Sequence, residues 1–127
     1  MGFYLIDNNV ISNYFSSSYS EEMMVFISEI IDQTPVISVI TEIEALSWIS
    51  TDKEKEKIVK EFISDSKVLN LNPDIVTQCV KIRRSRKIKT PDAIIAATAI
   101  FYDLILITND KDFEGIQNLK LLNPFSI

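Results

Sequence analysis

Histidine, glycine and cysteine are scarce in this sequence of 127 residues, which has no histidine, two glycines and one cysteine. Without histidine, Ser-His-Asp and Cys-His nucleophilic sites are excluded, and zinc has few possible ligands. Gly2 and Gly115 cannot form a glycine-rich loop around a nucleotide phosphate. Cys79 has apolar neighbours, so we expect a buried side chain rather than a redox centre or a metal ligand. If the protein is an enzyme, carboxylates must carry its chemistry.

The sequence also lacks a basic leader and a long hydrophobic run. Its longest apolar stretch, residues 93–102, is shorter than the roughly 20 residues that a membrane span needs. We therefore expect a soluble cytoplasmic protein without a membrane partner. A chain of 127 residues can bury roughly two thirds of its unfolded surface, so we expect a single domain over residues 1–127.

Short apolar segments rich in β-forming residues alternate with segments that carry helical signals. The predicted strands are 3–7, 35–39, 67–71, 104–110 and 119–123. The predicted helices are 8–15, 20–32, 41–50, 52–64, 73–84 and 90–102. This alternation predicts an α/β fold, with a central parallel five-stranded sheet flanked by helices on both faces.

Several acidic residues follow the predicted strands or open the helices after them. They are Asp7, Glu42, Glu44, Asp110 and Asp112. In parallel sheets the carboxyl ends of the strands form the crevice where ligands bind, so these acids are candidates for one site. Asp92 precedes the fourth strand by a helix. Its position in the chain places it at the opposite end of the sheet unless that helix begins near the crevice.

Each of these acids also has a purely structural interpretation. Asp7 can cap the helix that follows it, and Thr90 before Asp92 is typical of a helix cap. Thr41 and Glu44 have the spacing of a capping box. Taken together, however, the acids form an all-oxygen ligand set of the kind that Mg²⁺ and Mn²⁺ prefer.

Residues 81–89 contain six of the 13 Lys and Arg residues and no acid. The six cations are Lys81, Arg83, Arg84, Arg86, Lys87 and Lys89. A solvated helix end is one explanation, because cations interact favourably with the helix dipole there. Beside a metal-binding acid, the same cluster can attract RNA phosphates to a chain whose net charge is −5. We favour the RNA-binding interpretation.

Four segments resemble the motifs of the PIN domain in their order and spacing: YLIDNNVIS, ISVITEIEAL, TPDAIIAATAI and LILITNDKDF. Over essentially its whole length, the chain is similar to the VapC-type toxins of type II toxin–antitoxin systems. The resemblance implies a PIN-like three-layer sandwich and a Mg²⁺- or Mn²⁺-dependent ribonuclease. It implies metal-binding and catalytic acids at Asp7, Glu44, Asp92 and Asp110, with Asp112 as a further metal ligand. It also implies that the helix bearing Asp92 begins at this acidic site.

Three amides next to these acids are expected to support the site, namely Asn8, Asn9 and Asn109. Many relatives have Thr or Ser where this chain has Asn8, and an amide differs from a hydroxyl in its reach. The residues alone leave the choice between Glu42 and Glu44 open, and likewise between Asp110 and Asp112. The family spacing favours Glu44.

The predicted function is hydrolysis of RNA phosphodiester bonds by the toxin of a toxin–antitoxin pair. The expected partners are RNA, an antitoxin encoded by an adjacent gene, and a second copy of the chain. Two alternatives stay open. One is a structure-specific DNA nuclease of related fold, and the other is a non-catalytic module whose acids hold a metal or a partner.

Overall fold

The computed structural model describes residues 3–126, in which five strands alternate with helices. The strands are β1 (Tyr4–Ile6), β2 (Val36–Ser38), β3 (Lys67–Leu69), β4 (Ile105–Ile107) and β5 (Lys120–Leu122). The helices are α1 (Asn8–Phe15), α2 (Glu21–Asp32), α3 (Val39–Leu46), α4 (Lys53–Asp65), α5 (Pro73–Ser85) and α6 (Thr90–Phe101). A short 3₁₀ turn, Lys111–Phe113, follows β4. The single-domain organisation over residues 1–127 stays a prediction.

All strand pairs in the described residues are parallel, as predicted. β4 pairs with β1 on one side and with β5 on the other, while β2 pairs with β3. β2 lies beside β1, but the backbone hydrogen bonds divide the strands into a three-stranded and a two-stranded sheet. The prediction of one continuous five-stranded sheet is corrected in this respect. Strands of three residues form few ladder bonds, so a slight divergence between neighbours is enough to remove a ladder.

The core consists of two hydrophobic clusters on opposite faces of the strands. Leu5 of β1 and Leu106 of β4 belong to the cluster that packs against α5 and α6. Their chain neighbours Ile6 and Ile107 belong to the cluster that packs against α1, α2 and α4. Because side chains alternate along a strand, both faces of these strands are buried. The predicted three-layer α/β sandwich is confirmed.

Helix α3 begins earlier than predicted. Ser38 caps it, because the Ser38 hydroxyl accepts a hydrogen bond from the Thr41 backbone N–H at 3.1 Å. Thr41 therefore lies inside the first turn, and the interpretation of Thr41 and Glu44 as a capping box is wrong. The helix starts directly at the end of β2, so that its acids stand at the carboxyl end of the strands.

Helix α6 is buried on almost all sides. Ala93, Ala96, Ala97 and Ala99 are fully inaccessible to solvent, which fits their place between α5 and the strands. Small side chains at these positions allow the helix to approach its neighbours closely. The residue before the helix is Lys89, which makes no side-chain cap, so the prediction of Thr90 as the cap is also wrong.

Three further features concern the single cysteine, an ion pair on α4 and the apolar character of the helices. Cys79 is buried in the cluster beneath α5 and α6, as predicted. In the first turn of α4, Lys53 and Glu56 form an ion pair at 2.9 Å. Across residues 3–126, no helix has the length and apolar character needed to cross a membrane.

The close packing of α6 gives a stability prediction. We expect Ala97→Leu to lower the free energy of unfolding by about 1–3 kcal/mol, because an enlarged side chain has no room in a close-packed core. Urea denaturation followed by circular dichroism measures the change. Lys57→Leu, at an exposed position of α4, is the matched control and should stay within about 0.5 kcal/mol of wild type. Equal stability of the two variants would contradict the packing described here.

Candidate metal centre

Asp7 lies at the carboxyl end of β1 and is 6% exposed. Its Oδ1 accepts a hydrogen bond from the Asn8 backbone N–H at 2.8 Å, so the prediction that Asp7 caps α1 is confirmed. Its Oδ2 accepts from the Thr108 hydroxyl at 2.8 Å and from the Asn9 side-chain amide at 3.3 Å. Three donors therefore fix a buried carboxylate at the end of the sheet.

The same polar network joins the end of β1 to the end of β4. The Asn9 side-chain oxygen accepts a hydrogen bond from the Asn109 backbone N–H at 3.1 Å. The Thr108 hydroxyl accepts from the Asp110 backbone N–H at 3.1 Å. Since Thr108 also donates to Asp7, one hydroxyl links the two acidic loops.

Thr108 and Tyr19 are polar residues of this network that the sequence analysis missed. The Tyr19 hydroxyl donates to the Asn109 side-chain oxygen at 3.0 Å, while the Asn109 side-chain nitrogen is buried without a protein partner in the described residues. The signal for Thr108 was present in the sequence, because it lies between a buried strand and two predicted site residues. Tyr19 lies about 90 residues away in the chain, and nothing local indicates its contact.

Asp92, Asp110 and Asp112 form a carboxylate triad. Each offers one carboxylate oxygen, and the three oxygens lie within 4.8 Å of one another. Asp92 comes from the first turn of α6, whereas Asp110 and Asp112 follow β4. Asp110 also accepts a hydrogen bond from the Asp112 backbone N–H at 2.9 Å, which shapes the 3₁₀ turn. Helix α6 thus begins at the acidic crevice and not at the opposite end of the sheet.

The electrostatic field of these acids extends to Asp7. Burial raises the pKa of Asp92, and the charges of Asp110 and Asp112 raise it further. Burial is also the largest cause of the raised pKa of Asp7, and the charges of Asp92 and Asp110 add to it. The hydrogen bonds from Thr108 and Asn8 act in the opposite direction. The carboxylates are therefore close enough to repel one another.

Glu44 of α3 faces the same group of acids. Partial burial raises its pKa, and the negative charges of Asp7 and Asp92 contribute. The negative charges of Asp7 and Asp92 thus act on Glu44, the glutamate that the family spacing favours. Its role, like the roles of the other acids, stays a prediction at this point.

The chemistry of this donor set fits a hard divalent cation. The group contains carboxylate oxygens, which Mg²⁺ and Mn²⁺ prefer, and the chain offers no histidine to favour a softer metal. Burial raises the pKa of Asp92 and repulsion from Asp110 and Asp112 raises it further, and a bound cation would relieve the repulsion. The residues present therefore fit the Mg²⁺ or Mn²⁺ that the family resemblance implies.

The six cations of residues 81–89 differ in their contacts. Arg86 donates to the backbone oxygens of Glu114 and Asp112, at 2.7 and 2.9 Å. Arg83 donates through Nε to the backbone oxygen of Ile88 at 3.3 Å. Arg83 is nevertheless exposed, as are the other four side chains, namely Lys81, Arg84, Lys87 and Lys89. The structure thus uses two of the six cations to hold the backbone.

A partly apolar cavity of about 330 Å³ borders the acids. Asn8 and Glu44 line it on the acidic side, and Phe15, Trp48 and Lys55 lie among its other walls. Helix α3 ends at Leu46, short of the predicted end at residue 50, so Trp48 lies just beyond the helix. Trp48 is 44% exposed, so it offers an aromatic surface next to the acidic site.

Comparison with known proteins connects this geometry to a family. The family model of the PIN domain matches residues 4–119. A toxin–antitoxin complex from Klebsiella pneumoniae is similar to the chain at 31% sequence identity and a TM-score of 0.75, over 97% of this chain and 98% of that one. None of the curated proteins matches the sequence.

Two further solved structures share the fold. VapBC2 from Rickettsia felis bound to a DNA fragment from their promoter has 22% identity and a TM-score of 0.77, over 94% of this chain and 97% of that one. DNA-bound VapBC from Salmonella typhimurium has 23% identity and a TM-score of 0.75, over 96% and 98%. At these identities the likeness demonstrates the fold alone. The match to the family model and the Klebsiella relative go further, and this chain belongs to the PIN domain family.

Proposed function

We propose that the protein is a Mg²⁺- or Mn²⁺-dependent endoribonuclease and the toxin of a type II toxin–antitoxin pair. PIN-domain relatives are nucleases, which supports a hydrolase acting on phosphodiester bonds. The observation that carries the proposal is the carboxylate triad, whose three oxygens lie within 4.8 Å of one another beside the buried Asp7. The predicted cytoplasmic location is compatible with an RNA substrate and stays part of the proposal.

The proposed metal ligands are Asp7, Asp92, Asp110 and Asp112. Glu44 lies at the edge of this group and is retained as a further proposed ligand. A bound ion would supply Lewis acidity to the attacked phosphate and to the attacking water. Thr108 and Asn9 hold Asp7 in a fixed orientation through hydrogen bonds of 2.8 and 3.3 Å. Asn9 and Asn109 connect the loops behind the acids, so the ligand positions are set before substrate binds.

Glu44 is our candidate for the general base. Its side chain is exposed and lines the cavity next to the acids, so a substrate water can reach it. In the metal-free protein, partial desolvation of its carboxyl group and the charges of Asp7 and Asp92 raise the pKa of Glu44, which increases its affinity for a proton. In the proposed step, Glu44 takes a proton as the water oxygen bonds to phosphorus. The bond to the leaving ribose oxygen then breaks, and solvent protonates that oxygen.

The exposed cations near residue 87 are our candidates for RNA contact. The charge of Lys89 acts on Asp92, which places one end of the cluster beside the triad. Lys81, Arg84 and Lys87 are exposed along and after the end of α5. Such cations can bind the phosphates of an RNA whatever its base sequence. They would therefore guide RNA to the site without selecting a base.

We further propose an antitoxin partner encoded by an adjacent gene, together with a homodimer. The likeness to a toxin–antitoxin complex, at 31% identity over nearly the full length of both chains, supports the antitoxin, while the homodimer stays a prediction. Clustered carboxylates attract cations, so a basic side chain of an antitoxin is suited to block the acidic site.

The first functional prediction concerns metal and Asp92. We expect the purified protein to cleave RNA with Mg²⁺ or Mn²⁺ and to lose this activity in EDTA. We expect Asp92→Asn to reduce cleavage about 10²-fold or more, because it removes a charge from the preorganised site. Sequencing of RNA ends and a gel assay with labelled RNA measure both effects. Undiminished cleavage in EDTA, or cleavage of DNA alone, would contradict the proposal.

Asp74→Asn is the matched control for Asp92→Asn. Both aspartates follow a proline in the first turn of a helix, but Asp74 is exposed at the start of α5 and lies outside the triad. We expect the Asp74→Asn variant to keep wild-type activity. If both variants remain fully active and fold normally, Asp92 is only a helix-start residue and the alternative of a non-catalytic module is favoured.

The second functional prediction concerns RNA binding. In an Asp92→Asn background, Arg84→Gln with Lys87→Gln should weaken binding to all RNAs alike. The log–log slope of affinity against salt should fall by about 0.7 for each RNA phosphate that the protein no longer neutralises. Fluorescence anisotropy at several salt concentrations measures this slope. A double change to Gln at Lys57 and Lys60, two exposed positions of α4, removes the same charge and should have no such effect.

The third functional prediction concerns the antitoxin. Induction of the wild-type gene should arrest growth, and co-expression of the adjacent gene should restore it and yield a stable complex with suppressed cleavage. Cells should grow when the Asp92→Asn variant is induced without the adjacent gene. Cells that express the Asp74→Asn variant should still need that gene in order to grow. A neighbour that neither binds nor protects would exclude the proposed partner and leave the nuclease proposal standing.

A further inference from the structure

Arg86 attaches the turn that carries two of the triad acids to the end of helix α5. Its Nη1 donates to the Glu114 backbone oxygen at 2.7 Å, and its Nη2 donates to the Asp112 backbone oxygen at 2.9 Å. The two acceptors lie 28 and 26 residues away in the chain. One guanidinium thus spans the 3₁₀ turn that begins after Asp110.

These contacts are specific to the shape of arginine. Two N–H groups of a planar guanidinium can reach two acceptors at once, whereas a lysine ammonium is a single point charge. Arg86 is only partly exposed, and its Nε is buried without a protein partner in the described residues. The side chain is therefore held within the structure, unlike the exposed cations around it.

The position of Arg86 in the chain links it to the third acid as well. Arg86 directly follows the last residue of α5, and α6 begins four residues later and carries Asp92 in its first turn. Arg86 therefore bridges the segment that leads to Asp92 and the turn that bears Asp110 and Asp112. Phe113, the last residue of this turn, is fully buried in the cluster beneath α5 and α6. The turn is thus fixed by an apolar anchor and by a hydrogen-bonded one.

The contact also leaves the ligand atoms of the triad available. Arg86 binds the backbone oxygen of Asp112 and not its carboxylate. A salt bridge to the carboxylate would compete with a cation for the same oxygen. A bond to the backbone carbonyl fixes the residue without using the group that faces Asp92 and Asp110.

Gly115 adds a second observation on the same turn. Its φ of +82° lies in the left-handed region, and a Cβ at this position would be 3.6 Å from Nη1 of Arg86. Glycine adopts this conformation without a steric cost, whereas alanine would be strained. Gly115 therefore allows the turn to place the Glu114 carbonyl against the guanidinium.

We propose that Arg86 is a positioning residue for the carboxylate triad, which sets the spacing between Asp92 and the pair Asp110 and Asp112. This role differs from the RNA contact predicted from the cation cluster, because both terminal nitrogens already bind backbone oxygens. The inference rests on the proposed metal-binding function of the triad.

The first test is a Mn²⁺ titration of the folded protein. Electron paramagnetic resonance measures the concentration of the free ion at each step. We expect Arg86→Gln to weaken Mn²⁺ binding by about 10- to 100-fold, as loss of a residue that orients metal ligands commonly does. Arg84→Gln removes the same charge two residues earlier, at an exposed position, and should leave Mn²⁺ affinity unchanged. Arg86→Lys keeps the positive charge but loses the planar guanidinium that reaches two acceptors at once, so its Mn²⁺ affinity should stay below that of wild type.

The second test needs no metal. Hydrogen exchange of the amides at Phe113 and Glu114, which bond back to Asp110 and Lys111, should become faster in Arg86→Gln. Exchange in the buried part of α2 should not change. Gly115→Ala perturbs the same turn while Arg86 stays in place, so it should produce the same pattern if Arg86→Gln is too unstable to study.

The outcomes separate this inference from the proposed function. If wild type binds no Mn²⁺, the metal part of the proposed function fails, and the exchange data alone decide whether Arg86 holds the turn. If Arg86→Gln matches Arg84→Gln in both Mn²⁺ affinity and exchange, the positioning role is refuted. Full recovery of Mn²⁺ affinity by Arg86→Lys would also refute it, because charge alone would then suffice.

Discussion

Repulsion between carboxylates is the constraint on which this structure depends. Asp92, Asp110 and Asp112 bring oxygens within 4.8 Å of one another, and the nearby Asp7 is 6% exposed. Burial and the neighbouring charges raise the pKa of Asp92 and of Asp7, which means that the ionised forms are destabilised. Acids held in this way lower stability unless a cation binds them. The rest of the fold must therefore hold the acids together against their own charge.

The parallel topology provides the first part of that support. β1 and β4 are hydrogen-bonded neighbours, so Asp7 and the loop after β4 meet at one edge of the sheet. α3 starts directly after β2 and brings Glu44 to the same edge, while the buried α6 points its first turn at the crevice. The apolar core holds α6 against the sheet. It thus resists the repulsion between the carboxylates at the first turn of this helix. Stability that comes from apolar burial offsets electrostatic cost at the site.

The sequence predicted the parts of this arrangement that local chemistry determines. Strands with apolar residues on both faces, the cap at Asp7 and the buried Cys79 follow from composition and spacing. The start of α3 was misplaced because Ser38 and Thr41 both have hydroxyls suited to capping, and tertiary packing decides between them. The contacts of Arg86 with the turn after β4 were not predictable, because they join residues 26 and 28 positions apart and involve backbone oxygens, which no side-chain pattern reveals. The polar link from Tyr19 to Asn109 is hidden from sequence analysis for the same reason.

The chemical type of the supporting groups is as informative as their positions. Thr108 and Asn9 are neutral donors, so they orient Asp7 without cancelling its charge. Arg86 is a cation that also supports the site, but it binds the backbone oxygen of Asp112. The Asp112 carboxylate is therefore left facing the other acids. Ion pairs that do neutralise acids lie elsewhere, between Lys53 and Glu56 and between Lys120 and Asp103. A site built only for stability would gain from pairing its acids with arginine or lysine. Neutral donors and a backbone anchor instead preserve negative charge at fixed positions, and this arrangement is suited to a divalent cation.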